Sequence, residues 1–189
     1  MKERLGANAP RVTWRRYSGG MRPAVFMDRD DTIIANRAVT TVTATPGDLF
    51  DPELVRLMPG AGEACGVIAG AGYCLVVITN QGGIAQGLGT MAEVEAVNDR
   101  MRELLKECGV VLDGVYYSPS RRGAADARFA ADHWGWRKPE PGMILTAALE
   151  LGLDLARSWM VGDAERDVEA GVRAGIALER CIRVGVGGV

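Results

Sequence analysis

The chain has 189 residues, and 22 Lys and Arg against 24 Asp and Glu leave a net charge of −2, with one His. The length fits one domain of ordinary size, and the balanced charge argues against a nucleic-acid surface built from bulk charge. Apolar residues at 48% supply a core and charged residues at 24% are typical of globular domains, which excludes disorder as the main state.

No apolar run approaches the roughly 18–20 residues that a membrane span needs. Residues 1–20 read as an irregular, solvated basic arm with Arg4, Arg11, Arg15 and Arg16, lacking the apolar stretch of a secretory signal. Trp14 and Tyr17 are candidates to dock on the body, which is expected to be one domain over 21–189. Ala24–Met27 is too short for a helix and reads as a buried strand ending in Asp28. Residues 33–51, rich in Thr, Val and Ala without a helical period, read as a flap or small hairpin. Pro59-Gly60 opens a helix to about Ala71, stopped by Gly72.

Residues 73–78 (YCLVVI) form the clearest buried strand, followed by a polar loop, TNQGG. Thr90 and Glu93 predict a capping box for the next helix, with Val94, Val97, Met101, Leu104 and Leu105 as its apolar stripe. Residues 114–117 predict a third strand, 118–136 a long loop, and Pro141 a helix with Ile144, Leu145, Ala148 and Leu149 inward. A strand over 158–161 ends at Gly162-Asp163; a helix over 164–174 and a strand within 176–184 complete the body. The alternation predicts an α/β fold, a Rossmann-like parallel sheet with helices on both faces. Ligands of such sheets bind where the strands' carboxyl ends meet. Cys65, Cys74, Cys108 and Cys181 form no CxxC pair and read as free, mostly buried thiols of a reducing, cytoplasmic compartment.

Polar groups recur at those strand ends. They are Asp28-Arg29-Asp30, Thr79-Asn80, Arg137-Lys138 after the long loop, and Asp163 with Asp167 four residues on. Carboxylates at the ends of apolar strands are unfavourable unless paired, hydrogen-bonded or metal-bound. Asp28 and Asp163 can hold a hard cation such as Mg²⁺. A carboxylate can attack phosphorus, and Asp30 is close enough to protonate a leaving alkoxide and later activate water. Thr79 and Asn80 can donate to phosphoryl oxygens, and Lys138 can offset developing negative charge. For Asp113, Asp126, Asp132 and Asp154 the simpler reading is caps or solvated loops. Arg121-Arg122 reads as a solvated pair rather than an anchor for a second anion, and Met143 and Met160 as core.

FMDRDDT (26–32), TNQ (79–81), RKPEPGM (137–143) and VGDAERD (161–167) resemble, in order, the motifs of the haloacid dehalogenase (HAD) superfamily of phosphatases. TNQGGIAQG and RKPEPGM are similar to the heptose-1,7-bisphosphate phosphatase and histidinol-phosphatase branch. The resemblance implies Mg²⁺ as cofactor, held by Asp28, Asp30 (through its backbone carbonyl) and Asp163. It implies Asp28 as nucleophile, Asp30 as general acid/base, and Thr79 and Lys138 as the remaining catalytic groups. Asn80, Gln81, Gly82 and Arg137 would contact substrate, and Asp167 would orient the site.

The branch often carries a Cys/His zinc loop, but Ser118, Ser120, Trp134 and Trp136 stand there, and His133 alone cannot replace it; no zinc is expected. Apolar packing of the two tryptophans would pin that loop. Asp31 stands where many relatives have glycine and reads as a turn residue or helix cap, and Ala164 replaces a frequent lysine. The expectation is a cytoplasmic Mg²⁺-dependent hydrolase of a small phosphorylated metabolite such as a sugar phosphate, in carbohydrate metabolism, with no large cap domain. Neither nucleic acid nor membrane is an expected partner, and composition sets no oligomeric state. The alternatives are a non-catalytic phosphometabolite-binding protein on the same fold, or a phosphotransferase.

Overall fold

The computed structural model describes residues 20–124, 126–130 and 135–185; the expectations for residues 1–19, Asp132, His133 and Trp134 lie outside them. Strand β1 (Ala24–Met27) is buried along its whole length. Ala24 and Phe26 enter one core with Val76, Ile78, Met143, Ile144, Ala147 and Ala170. Val25 and Met27 enter a second with Leu75, Val77, Cys65, Val97, Met101 and Leu105. That period of two is the pleat of a strand, and burial on both faces is the mark of a parallel sheet between helix layers.

The other strands are β2 (Cys74–Asn80), β3 (Gly114–Ser118), β4 (Trp159–Gly162) and β5 (Cys181–Arg183). The described residues form one parallel sheet in the order β3-β2-β1-β4-β5. Short α1 (Arg37–Thr40) follows β1. Helices α2 (Ala61–Gly70) and α3 (Met91–Glu107) cover one face. Short α4 (Ala127–Ala130) lies in the loop after β3, and α5 (Gly142–Leu151) and α6 (Glu165–Arg173) cover the other face. The chain leaves β1 for β2 on one side and returns to β4 on the other, so the switch point lies beside β1 and the ends of β1 and β4 flank one crevice. No cap domain occurs among the described residues, and none of their helices is long and apolar enough to cross a membrane.

The Thr90–Glu93 capping box forms in both directions. Three expectations differ. β2 runs on through Thr79 and Asn80, which pair in register with Tyr117 and Ser118 of β3. Helix α5 buries Met143, Ile144 and Ala147, while Leu145 and Leu149 are exposed; Thr146 and Glu150 are its only polar side chains, too few to mark its phase. Residues 33–51 form no hairpin. Thr40, Thr41, Thr43 and Thr45 instead donate their hydroxyls to nearby carbonyls, the local bonding that competes with strand pairing. Beyond β3, Trp136 meets Tyr116 edge-on at 6.3 Å and pins the loop's end. Asp126 and Asp154 each accept a backbone N–H two residues on, as caps do, whereas Asp113 accepts the Leu75 N–H of β2 and so ties the start of β3 to that strand.

Candidate active site

Asp28 is the first residue past β1, and its N–H donates to Val161 of β4, which draws the two strand ends together. Its buried carboxylate meets Lys138 Nζ at 2.6 Å from Oδ1. The same ammonium donates to the Ile78 carbonyl at 2.8 Å and lies 2.8 Å from Asp167 Oδ1. Lys138 is thus a buried cation that donates to two oxygens and lies in ion-pair range of a third. Burial pushes the Asp28 carboxyl up to about 6 from 3.8; Lys138 pulls it back, and the charges of Asp167 and Asp30 push it further up.

Asp163, one residue past β4, faces Asp28. Oxygens of Asp28, Asp163 and Asp167 lie within 4.8 Å of one another. Asp163 Oδ1 is buried without a hydrogen-bond partner, and Lys138 is already shared by the other two carboxylates. An orphaned buried carboxylate oxygen beside two more hard oxygen donors fits a divalent cation of the Mg²⁺ kind. Asp167 therefore stands closer to this group than its expected orienting role required. Its Oδ2 also caps α6 through the Ala164 N–H. Gly162 leaves room for it, since a Cβ there would fall 2.4 Å from Asp167 Cβ.

The Asp30 carboxylate lies outside that acidic group. It accepts from Arg29 Nε and Nη2, from Gln81 Nε2 at 2.8 Å and from Thr79 Oγ1 at 3.3 Å. Arg29, which sequence reasoning passed over, is fully buried and braced by Asn98. Gln81 also reaches Thr79 Oγ1 at 2.9 Å, so Thr79, Gln81 and Asp30 form one network.

Asn80, expected to donate to a phosphoryl group, is engaged otherwise. Its Oδ1 accepts from Lys138 N at 2.9 Å and its Nδ2 donates to Lys138 O at 3.0 Å. This two-point clamp carries the loop bearing Lys138 to the end of β2. Arg137 lies over Gly82, with Nη1 donating to the Ser120 carbonyl at 2.9 Å. Two further residues had no signal in the sequence. Arg37 of α1 reaches Asp163 Oδ2, and Asp48 meets Gly83 from the segment before α2. Burial first, and then the charge of Asp30, raises the Asp48 carboxyl above its usual range, while Arg121 and Arg137 draw it down.

Known proteins are similar to this chain in both sequence and fold. A family model described as HAD-hydrolase-like matches residues 135–182. The D-glycero-beta-D-manno-heptose-1,7-bisphosphate 7-phosphatase of Yersinia pestis is 34% identical over 163 residues, 86% of this chain and 81% of that one. The chain belongs to the HAD superfamily of phosphatases. The Mesorhizobium japonicum 7-phosphatase is 41% identical over 155 residues, 82% of this chain and 67% of its own. Among solved structures, a HAD-like protein from Mesorhizobium loti superposes with a TM-score of 0.77 at 37% identity, covering 88% of this chain and 75% of that one. The D,D-heptose 1,7-bisphosphate phosphatase of B. bronchiseptica, complexed with magnesium and phosphate, gives 0.68 at 29% identity, covering 82% and 78%.

The loop after β3 borders the site of this HAD phosphatase. Ser118 is buried at the strand's end, and its Oγ accepts from Ser120 N. Beyond it, Ser120, Arg121, Arg122, Arg137, Lys138 and Glu140 line a cleft of about 570 Å³. A neighbouring hollow of about 490 Å³ shares Arg121 and Arg122 and adds Gln86 and Asp126. The arginine pair read as solvated is indeed exposed, yet it lines the cleft that opens beside Lys138. Asp31 adopts φ 55°, and its carboxylate accepts from the N–H groups of Asn36 and Arg37, so it is both turn residue and helix cap.

Proposed function

We propose that the chain is a Mg²⁺-dependent phosphatase of a phosphorylated sugar, with Asp28 as nucleophile. The carrying observation is the buried Asp28 carboxylate, held by Lys138 and facing Asp163 across the switch point. Mg²⁺, held by Asp28, Asp163 and the Asp30 backbone carbonyl, would supply positive charge to the phosphoryl oxygens.

Asp28 attacks phosphorus, the bond from phosphorus to the sugar oxygen breaks, and Asp30 gives its proton to the leaving alkoxide. Asp30 then takes a proton from water, which attacks phosphorus, frees Asp28 and releases inorganic phosphate. Lys138 offsets charge on the pentacoordinate group, and Thr79, Gln81 and the Gly82 backbone support its oxygens. Asn80 acts through Lys138, whose backbone it clamps. Arg137, Arg121 and Arg122 make the adjoining cleft cationic. A cleft of that charge favours a sugar with a second anionic group, which agrees with the bisphosphate named in the relatives. The four free cysteines agree with a reducing, cytoplasmic setting.

The test is phosphate release from sugar mono- and bisphosphates, heptose 1,7-bisphosphate included, with Mg²⁺ or with chelator, for the wild type and Asp28→Asn. Turnover is expected only for the wild type with Mg²⁺. Equal turnover by both proteins would falsify the nucleophile assignment.

A further inference from the structure

Asp163 is the acid of the buried cluster that Lys138 does not serve, since that ammonium is taken by Asp28, Asp167 and the Ile78 carbonyl. Its charge is balanced instead from outside the sheet, by the Arg37 guanidinium, which pairs through Nη2 with Asp163 Oδ2. The two partners are unlike: the Asp163 side chain is 3% exposed and that of Arg37 is 60% exposed.

Arg37 is aimed there by Asp31. One Asp31 oxygen accepts the Arg37 backbone N–H at 3.0 Å, and the other lies 3.3 Å from Arg37 Nε. Asp31 is the non-glycine residue with positive φ among the described residues. That conformation is uncommon even for Asp and persists when surrounding bonds hold it. The strained turn and the placing of the guanidinium are therefore one device, absent when glycine occupies position 31.

Asp163 Oδ1 is the oxygen open to a divalent ion, and a guanidinium held on Oδ2 of the same carboxylate repels that ion at close range. The mostly solvated arginine can withdraw with little desolvation, whereas buried Asp163 cannot follow it. We propose that Arg37 is a built-in counter-cation that neutralises Asp163 in the metal-free protein and competes with the divalent ion for it, so that the Asp31–Arg37 pair sets the metal affinity of the site. This rests on the metal-dependent reading above. An ion that must first displace Arg37 binds with an affinity reduced by the fraction of molecules in which the carboxylate is free.

Mg²⁺ titration calorimetry and thermal unfolding of chelator-stripped wild type and Arg37→Gln test this without substrate. Expected are Mg²⁺ binding about five- to twentyfold tighter in the variant, and a melting temperature about 2–4 °C lower in chelator that recovers to the wild-type value in saturating Mg²⁺. Equal Mg²⁺ affinities would overturn the proposal, as would a thermal loss of the same size with and without Mg²⁺, because Arg37 would then serve only α1. Absence of Mg²⁺ binding in both proteins would overturn the metal-dependent reading itself.

Discussion

Lys138→Met removes the ammonium from the centre of the site while keeping the length of its apolar stem. The Lys138 side chain is 1% exposed, and Asp28 and Asp167 depend on it at 2.6 and 2.8 Å. Breaking a buried ion pair from one side costs about 3–5 kcal/mol. Part of that is avoidable, because burial already pushes the Asp28 carboxyl up to about 6, so that a proton taken up at pH 7 costs only about 1.4 kcal/mol. Asp167 also loses the cation paired with it, which places the loss at about 3 kcal/mol in chelator at pH 7. The folded-state pKa of Asp28 lies above its unfolded value of 3.8, so in that window the folded chain binds more protons and stability falls as pH rises. Without Lys138 the pKa rises further, so the loss is smallest near pH 5 and largest at pH 8. Saturating Mg²⁺ replaces the missing charge and reduces the loss. Urea unfolding followed by circular dichroism, at both pH values with and without Mg²⁺, measures it. A loss independent of both pH and Mg²⁺ would show that the two carboxylates do not sense the lysine.

Gly162→Ala drives a Cβ into Asp167 and is expected to destabilise by about 2 kcal/mol, with loss of phosphate release while far-ultraviolet dichroism is retained. Asn80→Ala removes both bonds to the Lys138 backbone and lowers stability by about 2 kcal/mol; steady-state kinetics should show kcat falling more than KM rises, and the opposite split would assign Asn80 to substrate. Replacing Arg121 and Arg122 together by Ser should raise KM for a sugar bisphosphate about tenfold or more and leave a monophosphate unchanged. Burial pushes the Cys65 and Cys74 thiols up to about 11, whereas Cys108 is exposed. Mass spectrometry after iodoacetamide at pH 8 should therefore find Cys108 alkylated first, and the buried pair only after denaturation.

The sheet was legible because runs such as Ala24–Met27 and Cys74–Ile78 can be buried on both sides only as strands, and each is followed by a polar residue. The same logic brings Asp28, Lys138 and Asp163 to one crevice. What pattern could not supply was direction. Asn80 and Gln81 are adjacent amides, yet one clamps a backbone and the other joins Thr79 to Asp30, because successive residues of an extended chain face opposite ways. Arg29 follows Asp28 directly, and the same alternation turns it from the acidic cluster toward Asn98 and Asp30. Arg37 gave no signal at all: its place depends on the left-handed turn at Asp31, a conformation that residue type permits but does not dictate. Sequence thus reveals the groups that must be buried together, whereas partner choice among them follows from backbone torsions. For that reason Asp31, which stands where glycine is frequent, and the arginines that line the cleft beside Lys138 are where this chain's metal affinity and substrate preference should be set.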